Sequence, residues 1–271
     1  MRSITVALTT FKESVRQPVF YALLVIGVLL IAFSYLMPTF TMGTEEVKFL
    51  RDLGLGTYTL CILLLGIFSA ANLITTEIEN KTAMVVMSKP LRRREFVVGK
   101  YLGIALSGVF LGGLIAVVFL AVVAAKVSGG DIVGGQYTSY EHVWPQVKVL
   151  FPGLILGLLQ MLLLTAISVA LSTRIPMVLN VSISFGLFII ASISGPLVTY
   201  LRQENSRLYS AAKLVYYVLP NFQSNTEVYS AIGLGRPVPL ELVALVMAYS
   251  LVYICGAISV AVLLFQDREL G

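Results

Sequence analysis

The sequence predicts an all-α integral membrane protein: six transmembrane helices, an N-terminal interfacial amphipathic helix, and an external re-entrant hairpin before the sixth helix. Three observations carry this reading. Hydrophobic residues make up 58% of the 271 residues and charged residues 12%, roughly half the charged share of an ordinary soluble domain. So few charges cannot cover the outside of a soluble fold of this size. The charges are also clustered, leaving windows free of Asp, Glu, Lys and Arg at 17–44, 53–76, 101–125, 149–173, 175–201 and 242–266, each 24 to 28 residues long. About 20 apolar residues cross a bilayer core of about 30 Å, so each window holds one span and none holds two. Lipid offers the backbone no water to bond, so the spans must be helical. A soluble globular enzyme, a disordered chain and a disulfide scaffold are excluded.

Lys and Arg set the orientation. Six spans put both termini on one side, together with 77–100 and Arg174. That side carries 11 Lys/Arg and 6 acidic residues, against 8 and 8 on the other. Both termini are therefore expected in the cytoplasm and the chain in the cytoplasmic (inner or plasma) membrane, as one domain over 1–271. The first window does not read as a cleaved signal peptide, because a long stretch carrying Glu13 precedes it and apolar sequence continues past Ser34.

Within 2–17, Ile4, Ala7, Leu8, Phe11 and Val15 recur at spacings of three and four, which predicts an amphipathic helix lying in the membrane interface, apolar face down. Pro18 permits the turn into the first span, 19–37. The remaining spans are expected at 56–76, 97–125, 149–172, 177–200 and 242–265. A short external loop is expected over 38–56. The loop 126–148 carries turn signals at Gly129-Gly130-Asp131 and Gly134-Gly135, then Tyr137, Tyr140 and Trp144, which suit an interfacial aromatic belt. In the external segment 202–241 the charge-free stretch 214–226, with Tyr216, Tyr217, Pro220 and Phe222, is too short to span and predicts the re-entrant hairpin.

No charged residue lies near the middle of a span, where Gln160 and Asn180 are the most polar. This argues against proton- or sodium-coupled transport, which uses ionisable groups at the midplane, and against an intramembrane protease or metalloenzyme. His142 is the only histidine and falls in a loop, while Cys61 and Cys255 lie in apolar windows with neither disulfide nor metal spacing. No catalytic, cofactor-binding or metal residue is expected, and no nucleic-acid partner. Gly99 with Gly103, Gly108 with Gly112, and Gly153 with Gly157 have the four-residue spacing that lets helices approach closely, a signal of packing.

The loop after the second span, 77–95, is the most informative. Pro90 suits a helix N-terminus and restricts Lys89 before it, so one short helix should end near Ser88 and another begin at Pro90 and run into the third span. Ala83, Met84, Val86 and Met87 would expose an apolar patch suited to a protein partner. Arg92, Arg93 and Arg94 stand at the positive end of the second helix, where cations are disfavoured; anionic lipid headgroups or an acidic partner surface would favour them there.

The run Glu77-x-Glu79-Asn80-Lys81-Thr82, then Met87-Ser88-Lys89-Pro90-Leu91-x-Arg93, then Glu95-Phe96-Val97-x-Gly99-Lys100, resembles the loop of ABC-2 type permeases, with Lys81 where those commonly carry Gly. Leu219-Pro220-Asn221-Phe222 and Phe265-x-x-Arg268-Glu269-Leu270 are similar to the subgroup that includes permeases linked to copper-enzyme maturation. The resemblance implies a coupling helix within Glu77–Ser88 that docks on a separate ABC ATPase subunit, with Glu77, Glu79, Thr82, Met84, Met87, Ser88, Pro90, Arg93 and Glu95 as the coupling residues of the 77–95 loop. It implies two permease copies, ATP and Mg held by the partner, and transport, as an exporter, through a subunit that is not itself an enzyme. The chain has no phosphate loop: its Gly-Lys, Gly99-Lys100, is followed by Tyr101, and Arg94 stands where the first Gly belongs. Two other readings stay open from the residues: a non-transporting scaffold that passes ATPase motion through 202–241 to an external accessory protein, and a passive channel or carrier.

The charge split yields a test. With Cys61 and Cys255 replaced, a cysteine at Ser139 is expected to react with an impermeant thiol reagent in intact cells, and one at Ser88 only after the membrane is opened. Labelling of Ser88→Cys from outside would reverse the orientation.

Overall fold

Ten α-helices form the regular structure among the described residues of the computed structural model, which are 2–36, 45–79, 93–128, 143–203, 209–220 and 222–266. They are α1 (Arg2–Arg16), α2 (Pro18–Leu36), α3 (Glu45–Glu79), α4 (Arg93–Ser128), α5 (Val143–Lys148), α6 (Phe151–Ser172), α7 (Met177–Gln203), α8 (Tyr209–Val218), α9 (Gln223–Gly233) and α10 (Leu240–Gln266). Six stretches are long and apolar enough to cross a membrane: Pro18–Leu36, Val47–Glu77, Arg94–Ser128, Val143–Ser172, Met177–Arg202 and Leu240–Phe265. The chain is an all-α membrane protein, with α5 and α6 together making the fourth span.

Helices α3 and α6 are the most enclosed and pack along each other at the centre. Around them stand α2, α4, α7 and α10, which show large apolar side chains outward, such as Leu29, Val117, Ile193 and Val252. Core residues fall into two tiers. Leu50, Leu55, Tyr58, Phe119 and Ile232 lie toward one end. Leu73, Phe96, Tyr101, Val169 and Phe265 lie toward the other, the terminus-bearing end at which α10 finishes. Phe96 at the start of α4 stacks on Phe265 at the end of α10, centroids 5.6 Å apart.

Several buried polar groups are partnered across helices, as a water-free setting favours. Asn180, one of the two polar span residues noted from sequence, joins α7 to α6. Its Nδ2 donates to the Ser168 carbonyl at 3.0 Å, and its Oδ1 accepts from Ser168 Oγ at 3.2 Å and Ser184 Oγ at 3.1 Å. Gln160, the other, is buried in α6.

The expected loop over 38–56 is corrected: α3 is already helical from Glu45, and 37–44 lie outside the described residues. The charges Glu45, Glu46, Lys48, Arg51 and Asp52 closed the apolar window, yet Leu50 and Leu55 are buried and Arg51 is only 4% exposed, so tertiary contact extends the helix past the apolar run. Helix α3 has 35 residues, about 52 Å at 1.5 Å per residue. Between α7 and α10, where the hairpin is expected, the chain makes two short helices. Helix α8 packs against α7, and α9 returns against α3 and α6. At its tip Leu219 and Pro220 border an apolar groove of about 560 Å³ shared with Ile167, Leu187 and Val252, and Phe222 sits 6.3 Å from Phe188. Helix α9 ends in a Schellman motif: Arg236 N–H donates to the Ala231 carbonyl at 2.9 Å and Gly235 N–H to that of Ile232 at 2.8 Å. Gly235 takes φ 70° there, a conformation costly for any residue with a Cβ.

Helix α1 is divided into three sectors rather than two. Ala7, Thr10 and Ser14 are buried against the bundle, whereas Ile4 and Leu8, from the apolar stripe read in the sequence, are 61% and 50% exposed. The small residues face the protein because α1 lies close to α4: a Cβ at Gly99 would come 2.8 Å from Val6, and one at Gly103 would come 2.6 Å from the Ala7 carbonyl oxygen. Backbone cannot yield as a side-chain tip can. Gly103→Ala is therefore expected to cost about 1–3 kcal/mol of stability by overpacking. Gly113→Ala, with open space around the new methyl, should be neutral or stabilising by up to about 1 kcal/mol through helix propensity. Thermal unfolding of the two variants in micelles checks this; equal effects would remove α1 from its seat.

Candidate functional site

Three helices converge on Lys100 at the terminus-bearing end. Lys100 lies in the second turn of α4 and is 3% exposed. Its Nζ donates to Glu77 Oε1, near the end of α3, at 2.8 Å and to Glu13 Oε2 of α1 at 3.5 Å. It also lies 6.0 Å from the centroid of the Phe96 ring, an electrostatically favourable approach. A buried ammonium without such partners would be costly. The Glu77 side chain is largely buried, while half of Glu13 is open to solvent, so the Glu77 contact is the stronger one.

A hydroxyl cluster joins the same three helices. Ser14 Oγ donates to Ser107 Oγ at 2.8 Å, Ser107 Oγ donates to the Ile104 carbonyl at 2.7 Å, and Ser69 Oγ lies 3.0 Å from Ser14 Oγ. The end of α3 and the start of α4 thus form a cross-braced base. The ion pair ties the two roots to each other, and α1 straps both.

Of the loop residues singled out from sequence, Glu77 belongs to this base and Glu95 to the first turn of α4, where a carboxylate suits the helix dipole. Glu79 and Arg93 are the last residue of α3 and the first of α4. Thr82, Met84, Met87, Ser88 and Pro90 lie outside the described residues, as does the short helix expected to end near Ser88; the helix expected to run from Pro90 into the third span is described from Arg93 as α4. The glycines line contacts within one protomer. Gly99 and Gly103 face α1, Gly108 faces Met161, Gly112 faces Leu158 and Ile62, Gly153 faces Ile232 and Leu55, and Gly157 faces Thr59 and Tyr58.

Sequence reasoning missed the burial of Lys100 and its pairing with Glu77 and Glu13. The available signal was opposite charges at the edges of two consecutive apolar windows, Glu77 closing one and Lys100 preceding the next. It also missed a second clasp at the opposite end. There Arg51 of α3 donates through Nη2 to Gln146 Oε1 of α5 and through Nη1 to the Ile232 carbonyl at 3.5 Å. A cation is well placed beside the last carbonyls of α9, and this contact fastens the hairpin to the central helix. Among the described residues no group of His, Cys, Asp and Glu is arranged to hold a metal ion.

A family model described as ABC-2 family transporter protein matches residues 4–270. No curated protein matches the chain.

The ion-pair base has a measurable hierarchy. Glu77→Gln leaves Lys100 buried beside only the longer Glu13 contact and is expected to cost about 3 kcal/mol, the scale for stranding one partner of a buried pair. Glu13→Gln should cost less than about 1 kcal/mol, as an exposed partner does. Glu77→Gln combined with Lys100→Met should cost less than Glu77→Gln alone, since no buried charge is stranded. Unfolding measurements in micelles decide, and equal losses for Glu77→Gln and Glu13→Gln would sink the assignment.

Proposed function

The chain belongs to the ABC-2 family of transporter proteins, and on that footing we propose that a separate ATPase docks on its 77–95 segment and drives export through a pathway formed by two copies. Membership makes the chain a multi-pass membrane permease subunit and implies an ABC ATPase as its partner. In this family ATP hydrolysis is normally the partner's work, and we assign ATP and Mg to that subunit.

The observation that carries the reading is the Glu77–Lys100 contact of 2.8 Å at the root of 80–92. A docking segment on independent, loosely held roots would absorb a push in its own backbone. Here both roots are braced to each other and to α1, so force applied to the segment moves α3 and α4 as a body. Export, the direction the family resemblance implies, follows if ATP-driven closure of two ATPases moves both segments together. Two copies are favoured because the spans offer a single unit no polar lining; the groove under the hairpin tip is bordered by apolar side chains. The cytoplasmic-membrane placement, with both termini inside, rests on the charge split. Leu219-Pro220-Asn221-Phe222 favours the copper-enzyme maturation subgroup.

Met84→Glu with Met87→Glu tests the docking. Both positions lie outside the charge-free windows, so membrane yield should hold, while each carboxylate enters an apolar contact that must lose water, a cost of several kcal/mol if unpaired. Recovery of the ATPase with tagged permease should fall at least about tenfold. Arg92→Ala with Arg94→Ala is the matched control, expected to alter membrane yield more than ATPase recovery. The mass of the recovered wild-type complex reports whether two permeases are present. Normal ATPase recovery with the double glutamate would remove the docking assignment.

A further inference from the structure

Beside the braced base, α1 turns its third sector away from both the bundle and the apolar stripe. Thr9, Lys12, Glu13 and Arg16, with Gln17 and Pro18 at the bend into α2, line an open pocket of about 440 Å³. We propose that this pocket is a binding site for the headgroup of an anionic phospholipid, gripped between Lys12 and Arg16.

Four observations meet there. Lys12 and Arg16 are one turn apart on one exposed face, a like-charge pair that destabilises an isolated helix and that an anion between them would turn to advantage. Among the described residues neither cation has a carboxylate within ion-pair distance. The pocket's own carboxylate, Glu13, is turned toward Lys100 at 3.5 Å, and Gln17 accepts from Ser69 Oγ at 3.5 Å, so the two cations face the opening with little competition from within. Finally, the neighbouring sector of α1 is the exposed apolar stripe of Ile4 and Leu8, with Phe11 and Val15 partly exposed. A cationic face beside an apolar face on a helix held against a membrane bundle matches a molecule with an anionic head and acyl tails. A free phosphate would use the first face alone, and an acidic protein segment would leave the second uncovered.

The site is one residue from the base: Lys12 precedes Glu13, which contacts Lys100. An occupied pocket would fix α1, and with it the strap across the roots of α3 and α4. The binding itself does not depend on the transport reading, and its test needs no ATPase.

The experiment uses the full chain in uncharged maltoside micelles, titrated with dihexanoyl phosphatidylglycerol, dihexanoyl phosphatidylcholine or inorganic phosphate, with bound lipid counted by native mass spectrometry. Phosphatidylglycerol is expected to bind at least about tenfold more tightly than phosphatidylcholine, and more weakly as salt rises. Lys12→Gln with Arg16→Gln should lose this preference. Lys12→Arg with Arg16→Lys should keep it, as should Lys48→Gln with Arg174→Gln, which removes two charges elsewhere. Equal binding of the two lipids would overturn the proposal. So would an unchanged preference in the double glutamine variant with its helix content intact, or displacement of the lipid by millimolar phosphate, which would mark a general anion site.

Discussion

The backbone of α4 is bare at Gly99 and Gly103, and the terminus-bearing end depends on that. A methyl at either position would meet α1 within 3 Å. Because nothing stands there, Ala7, Thr10 and Ser14 reach α4, Ser14 finds Ser107, and Glu13 comes within range of Lys100. An amphipathic helix held by an apolar face alone could slide or rotate on lipid. One seated through close backbone approach and directional hydrogen bonds cannot, and its remaining sectors are thereby aimed: large apolar side chains one way, cations the other.

The same economy of polar groups recurs through the bundle. Apolar contact between spans is weakly directional, since lipid tails compete for it as well as side chains do. What selects one arrangement is a small number of partnered polar groups: Asn180 with Ser168 and Ser184, Tyr58 with the Leu154 carbonyl, Thr59 with Tyr229. Each lies where two or three helices meet and would be stranded by a shift of one turn. These groups hold helix pairs in register and leave the spans without any line of ionisable side chains.

The spans were legible because lipid imposes one requirement, about 20 uninterrupted apolar residues, and six windows meet it. What was not legible depended on partners distant in sequence. The places of Glu77 and Lys100 at the edges of consecutive apolar windows hint at their pairing, but a lysine at a window edge ordinarily reaches water. The early start of α3 was hidden because Arg51 counts against a span until Gln146 and the α9 carbonyls are known to receive it. In α1 the periodicity of Ile4, Ala7, Leu8, Phe11 and Val15 reads as one apolar stripe, yet Ala7 is buried against the bundle while Ile4 and Leu8 are exposed, because large apolar residues suit lipid while small ones suit close contact with protein. The glycine pairs advertised close approach without saying to what; for Gly99 and Gly103 the answer was the chain's own N-terminal helix. The loop residues most tied to family resemblance, Thr82 to Pro90, fall outside the described part of the chain.

Helix α3 carries both clasps. Glu77 is in its last turn and Arg51 stands 26 residues earlier, about 39 Å away along one uninterrupted helix. Such a rod bends far more readily than it stretches. A thrust along its axis at the Glu77 end therefore reaches the Arg51 end almost undiminished, where it bears on the carbonyl end of α9 and the root of the hairpin. The two ends of the molecule share one helix, so a displacement of the Glu77 end along that axis would carry with it the Arg51 contacts on which the hairpin rests.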